Sequence, residues 1–425
     1  MIGERAELRR QPENLTKRPT AYRATLVCAT LAVALTPAYT VRWRWFGLLP
    51  TTLLETAILI TIAVFVIETL RQETPIVWRT AFTIPAGLFL IAGALDVVFA
   101  PDHRAALGLY RAYFLEPMAF FILLVSAIQT LRQALMVLAG LAAGGIALAI
   151  PNAAIVLQAI AHHTLNLAGT PPVAIYQTQN AVALFLLPLI AVASSLLLWG
   201  RTPERLTSAA FLVIAIPTFL LTFSRGGYVA IAAVLVALAL THRWRVWLVL
   251  AGAVAAALFT RIPAVAIRLA HDLNFADPSN TLVGRVPLWR ATLQMLAHHP
   301  IFGAGLSGFE TEIAPYWNAT HVDRFIYPHN ILLNFWVATG VLGVFAFGWI
   351  LVVAFGQTFR GWRRGDPEWR PLQLGVCLAL IGLVVHGLVD VPYFKNDLSL
   401  EFWVLLGLST AGIMLGFGKR HPARA

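Results

Sequence analysis

The sequence predicts an all-α polytopic membrane protein, with about twelve transmembrane helices and one long, partly helical periplasmic loop. Three observations predict it. The first is composition: of 425 residues, 59% are apolar and only 12% charged, with a mean hydropathy of +0.74, against roughly 45–50% apolar and about 25% charged in soluble domains. Too little polar surface is left to wrap a water-soluble globule. The second is a series of apolar runs, most about 17–25 residues long and so able to cross a hydrocarbon core as helices. The third is the placing of Lys and Arg in short clusters between those runs, which orients the chain by the positive-inside rule.

In order, the runs are 22–39, 51–70, 80–100, 114–130, 134–160, 180–199, 207–223, 228–241, 246–262, 330–355, 372–390 and 399–417. Pro85, Pro188 and Pro217 interrupt three of them, which packed membrane helices tolerate because neighbours re-satisfy the freed backbone groups. With the N-terminus in the cytoplasm, inward segments carry 20 of the 31 Lys and Arg and outward segments the other 11. A missed span would swap sides from that point onward, so the bias supports the count. The basic start and short first run also suit a signal peptide, but Thr36-Pro37-Ala38-Tyr39 makes a poor cleavage site. The resulting plan is a cytoplasmic tail over 1–21, helices 1–9 over 22–262, a periplasmic loop over 263–328, helices 10–12 over 329–417 and a cytoplasmic tail over 418–425.

Composition narrows function as well. Cys28 and Cys377 lie far apart inside apolar runs, which excludes a disulfide framework and a Cys-based metal site. The net charge of +11 is scattered between spans rather than gathered on one face, so it marks membrane orientation and not nucleic-acid binding. The inverted repeat of many transporters is missing. Within the long loop, Leu288, Ala291, Thr292, Met295 and Leu296 recur at amphipathic spacing, which predicts a helix over Pro287–His298. The apolar loop segments Val41–Pro50 and Leu165–Tyr176 read as interfacial anchors through their tryptophans and tyrosine, with gating of a lateral opening as the alternative.

Four ionisable groups at outward-facing ends stand out, because such groups at membrane depth are functional candidates by default. Arg225, in Ser224-Arg225-Gly226-Gly227, pairs a guanidinium with glycine amides at a helix start, which together make an anion pocket; helix-end snorkelling is the competing role. Arg285, in Gly284–Trp289, precedes the predicted loop helix and can grip a phosphate bidentately. His329, in Tyr327-Pro328-His329-Asn330, sits at the first turn of a span and suits proton abstraction from a hydroxyl. Asp390, in Asp390-Val391-Pro392-Tyr393, is a carboxylate that burial forces into a pair, with His329 or with Lys395 or an Arg. Arg111, Arg290, Tyr327, Asn330, Tyr393 and Lys395 are set beside them as substrate-binding candidates, Arg111 reading more simply as an interfacial anchor paired with Glu116. His298 and His299 lack metal-site spacing and read as structural.

Taken together, Ser224–Gly227, Gly284–Trp289, His299–Phe309, His329–Gly343 and His386–Phe402 resemble, in order and placement, the O-antigen ligase family, which shares a domain with O-antigen polymerases and certain protein oligosaccharyltransferases. The resemblance covers most of residues 200–410. It implies an inner-membrane glycosyltransferase that moves a glycan from undecaprenyl diphosphate to a sugar hydroxyl of lipid A-core on the periplasmic side, without metal, nucleotide sugar or other cofactor. Carried over by position, Arg225 and Arg285 hold the diphosphate, His329 is the base and Asp390 supports the site. The outward acids Asp102, Asp272, Asp277, Glu310, Glu312 and Asp323 form no DxD or His-containing ligand cluster, which fits the metal-free expectation. A polymerase, with a second undecaprenyl-linked glycan as acceptor, and a protein O-oligosaccharyltransferase are the alternatives within the superfamily. A secondary transporter is the alternative of another class, disfavoured because the ionisable residues cluster near span ends.

Overall fold

The computed structural model describes residues 22–45, 47, 49–166, 171–261, 265–266, 270, 281–317 and 326–420. The expected tail over 1–21 and the loop stretches 271–280 and 318–325, with Asp272, Asp277 and Asp323, lie outside the described residues. The chain is mostly helical. We number its helices α1 Arg23–Ala34, α2 Leu53–Gln72, α3 Thr83–Phe99, α4 His103–Ala127, α5 Leu131–Ala161, α6 Gln179–Trp199, α7 Thr202–Leu220, α8 Arg225–Leu240, α9 Arg245–Phe259, α10 Thr281–His298, α11 Phe309–Glu312, α12 Ile331–Arg364, α13 Arg370–Gly387 and α14 Asn396–Arg420.

Among the described residues, eight helices are long and apolar enough to cross a membrane: α2, α4, α5, α6, α7, α12, α13 and, over Asn396–Gly416, α14. Shorter apolar helices are α1, α3, α8 and, over Arg245–Val254, α9. Each of the apolar runs read from the sequence falls on one of these helices. The boundaries move where local chemistry outweighs hydropathy. The fourth run begins earlier than its apolar stretch, because Asp102 caps His103 by accepting from the Ala105 N–H at 3.0 Å, and the helix then passes through a π-turn at Arg111–Leu115.

Two departures from an all-helical chain sit between α1 and α2. Arg42–Trp45 (β1) and Leu49–Thr52 (β2) pair as an antiparallel hairpin with Arg42 opposite Thr52 and Trp45 opposite Leu49. The segment expected to be an apolar loop is therefore partly strand, as its alternating Arg-Trp-Arg-Trp pattern allows. The second apolar loop segment is also corrected: Tyr176 is buried against Tyr39 and Phe185 and is not an interfacial anchor.

The core lies where α6, α13 and α14 pack, and these are the most enclosed of the spanning helices. Small residues bring them close: a Cβ added at Gly375 would stand 2.8 Å from the Val192 Cα of α6. A second, smaller core forms around α10, and all five residues of its predicted apolar face are buried there, with Phe309, Ile313 and Val337. The helix itself differs from expectation, since it starts at Thr281 and runs across Pro287. Arg285 thus lies on the helix and not ahead of it.

This smaller subdomain is locked to α12 by a backbone exchange. Gly340 breaks α12 with φ 58° and ψ −171°. The Val341 N–H donates to the Ile301 carbonyl at 2.9 Å instead of closing its own helical turn, and the Val337 carbonyl accepts from the Ala304 N–H at 2.8 Å. Trp336 Nε1 donates to the Pro300 carbonyl at 2.7 Å beside them. A kinked membrane helix needs its freed groups re-satisfied, and the glycine turn 300–305 supplies both partners. Gly340→Ala places a methyl against the Ile301 carbonyl in a left-handed conformation; it should cost about 1–3 kcal/mol or more, read as a lowered Tm in detergent. Gly348→Ala, where nothing stands within 4 Å of the added carbon, should leave Tm unchanged or slightly raised.

Candidate active site

The site grows from three chain segments brought to one end of the bundle: the start of α8, the start of α12 and the end of α13. Asn330 caps α12, its Oδ1 accepting from the Leu333 N–H at 3.1 Å, and His329 stands immediately before this cap in a left-handed conformation with φ 49°. The same Asn330 side chain donates to the Leu388 carbonyl at 2.9 Å and so ties the start of α12 to the end of α13. From the loop side, Trp289 Nε1 donates to the Pro328 carbonyl at 2.8 Å. Three straps therefore converge on residues 328–331.

They deliver His329 to Asp390. Nδ1 of the imidazole lies 3.2 Å from Asp390 Oδ1, with the carboxylate side chain 2% exposed and the imidazole 16%. An ionised carboxylate can only accept, so Nδ1 carries the proton and Nε2, on the opposite edge of the ring, is left as the basic nitrogen. Asp390 Oδ1 also accepts from the Val391 N–H at 2.9 Å. Burial by itself raises this carboxyl, but the His329 hydrogen bond and the charges of His329, His386 and Arg285 outweigh it and hold the group well below the ordinary carboxylate range. Of the pairings open in the sequence, His329 is the one observed; Lys395 instead lies within electrostatic reach of Asp397.

Arg285 and Tyr327 complete this cluster. Burial lowers the Arg285 guanidinium, while Asp390 and Tyr327 act to raise it. The Tyr327 ring lies 4.3 Å from that of His329, and burial, then Asp390, push its hydroxyl up against the opposing charge of Arg285. Arg225 enters from α8 as its first residue. Ser224 caps that helix by accepting from the Gly227 N–H at 3.2 Å. A Cβ on Gly226 would stand 2.7 Å from Val389 Cγ2 and 2.9 Å from His386 Cδ2, so the first turn of α8 lies directly on the Asp390 segment.

The remaining candidates are placed differently. Tyr393 is fully buried, donating to the Tyr113 carbonyl at 2.8 Å and accepting from Trp403 Nε1 at 3.0 Å, so it braces the loop from inside instead of facing a substrate. Asn330 is a cap and strap. Arg290 is exposed, further along α10. Arg111 pairs with Glu116 at 3.1 Å, as the sequence suggested, and also with Glu55 at 2.6 Å; Asn396 donates to the same Glu55 at 2.7 Å. That network stitches α2, α4 and α14 together. Sequence reasoning passed over His386, a buried imidazole against the α8 turn. Its four-residue spacing from Asp390 was the available signal.

Residues 210–348 match the family model described as O-antigen ligase. Over this stretch, about a third of its length, the chain is similar to the O-antigen ligase domain. Members of this family are membrane glycosyltransferase-like enzymes. The matched stretch holds Arg225, Arg285 and His329, while Asp390 and His386 lie beyond it. No curated protein matches the sequence.

The depressed Asp390 carboxyl makes a stability prediction. A carboxyl lowered in the folded state stabilises it fully above the ordinary value of about 4, and the gain is lost as pH falls toward the lowered native value. The Tm gap between the protein and Asp390→Asn should be widest near pH 7 and shrink below about pH 4; a gap independent of pH would show that the ionised carboxylate is not favoured in the fold.

Proposed function

We propose that the protein is an O-antigen ligase, transferring a glycan from undecaprenyl diphosphate to a sugar hydroxyl of lipid A-core at the periplasmic face of the inner membrane, with both termini cytoplasmic and twelve spans. The observation that carries the reading is the His329–Asp390 pair with the Arg285 guanidinium in electrostatic reach of the same carboxylate. A general base held in one tautomer beside a guanidinium is what displacement of a lipid diphosphate by a hydroxyl calls for.

In the proposed reaction the acceptor hydroxyl attacks the anomeric carbon from the face opposite the diphosphate. His329 Nε2 takes the hydroxyl proton as the new glycosidic bond forms, and Asp390 stabilises the imidazolium that results. The bond from the anomeric carbon to the diphosphate oxygen breaks with its electron pair, and the rising charge on the leaving group is met by Arg285 and Arg225. Preorganised cations stabilise that developing charge more than the ground state, so they raise kcat and not only affinity. One displacement inverts the anomeric centre, and retention through a glycosyl-enzyme would need a second carboxylate as nucleophile.

Purified protein reconstituted with lipid-linked glycan and lipid A-core should transfer the glycan without added metal, and the product should have inverted configuration. His329→Ala should lower transfer by about 10²–10⁴-fold with Tm and donor binding retained; an active alanine variant removes the base assignment. Arg285→Gln should lower kcat by about 10²-fold. Transfer to a second lipid-linked glycan in place of lipid A-core would make the protein a polymerase, and solute uptake without transfer would make it a transporter.

A further inference from the structure

Two polar side chains near the site are buried without a hydrogen-bond partner among the described residues. His386, on α13, is 1% exposed, and both its ring nitrogens lack one; Glu401, on α14, is 2% exposed, and its Oε1 lacks one. Buried polar atoms in folded proteins are nearly always satisfied by protein or by ordered water, so each such atom asks for a partner. Here the two residues share an answer, because both line one cavity of about 20 Å³ between α6, α13 and α14, walled otherwise by apolar groups such as Leu184, Pro188, Leu383 and Phe402.

A single ordered water needs roughly 10–15 Å³ and two to four polar partners. The volume suffices. The partners number two, the imidazole and the carboxyl. The cavity thus gathers two side chains left short of a partner, against a lining that is otherwise apolar.

His386 also touches the candidate active site. Its carbonyl accepts from the Asp390 N–H at 3.0 Å, its ring lies on the Gly226 turn that carries Arg225, and Asp390 and Arg285 are in electrostatic reach of it. A ring able to rotate in the cavity would leave the Asp390 segment less well fixed than a ring tethered from behind. We propose that the cavity holds one ordered water bridging Glu401 to His386, and that Glu401 is thereby a positioning residue that acts through His386 and Asp390 on His329. The positioning role rests on the glycan-transfer reading; the water bridge itself does not.

Glu401→Gln keeps a polar partner at equal volume, and Glu401→Leu removes it at similar volume. With activity normalised to monodisperse, folded protein, Glu401→Leu should lower kcat by about tenfold, the effect of one lost hydrogen bond on the base's alignment, with KM within about twofold. Glu401→Gln should restore kcat nearly to that of the native protein. The infrared difference spectrum of native protein minus Glu401→Gln isolates the Glu401 carboxyl band, which should shift when His386→Leu is introduced into both. A Glu401→Leu variant with native kcat overturns the positioning role, and a carboxyl band indifferent to His386 overturns the bridge. Full transfer by His329→Ala together with a shifted band would sink the catalytic reading and leave the bridge standing.

Discussion

Burial of the Asp390 charge is the constraint on which the site depends. A carboxylate at 2% exposure, in a bundle built largely of apolar side chains, persists in its ionised form only with hydrogen bonds and positive partners around it. The fold meets that demand with a hydrogen bond from His329 at the start of α12 and the nearby guanidinium of Arg285 on α10. Those same partners are groups with which a transferase handles a hydroxyl and a phosphate. The electrostatic requirement of folding and the proposed requirement of catalysis therefore draw on the same residues.

The backbone is organised to hold this cluster. α12 would carry His329 wherever its straight axis led, but Gly340 bends it and hands two backbone bonds to the 300–305 turn. The subdomain around α10 is thereby fixed to the helix whose start bears the imidazole, and Arg285 comes with it. On the opposite flank the glycine at 226 allows α8 to rest on His386 and Val389. Each glycine is spent on an approach that a side chain would block.

Much of this was legible in the chain. Apolar runs marked the helices, because lipid leaves backbone groups no partner outside the helix, and the amphipathic period of Leu288 to Leu296 marked the buried face of α10. Arg225, Arg285, His329 and Asp390 stood out as charged groups beside apolar spans, and four of the five stretches that carried the family resemblance fall within the matched residues 210–348, His386–Phe402 lying beyond them. What stayed hidden was pairing and register. The choice of His329 over Lys395 for Asp390 depends on how α12 and α13 are strapped by Asn330. The extension of α10 back over Pro287 overrode a local stop signal. Tyr393 looked like a contact residue from its motif and is a brace, since a hydroxyl reveals its partners only in three dimensions. His386 looked like one more residue of an apolar span.

The central claim is that Asp390 holds His329 with its proton on Nδ1, leaving Nε2 as the base. Nitrogen NMR of ring-labelled histidine in the reconstituted protein, assigned by comparison with His329→Gln, reports the tautomer directly. The account predicts a protonated Nδ1 and an unprotonated Nε2 for His329 near neutral pH, with that preference lost in Asp390→Leu. A resident proton on Nε2, or a tautomer unmoved by the loss of the carboxylate, would contradict it.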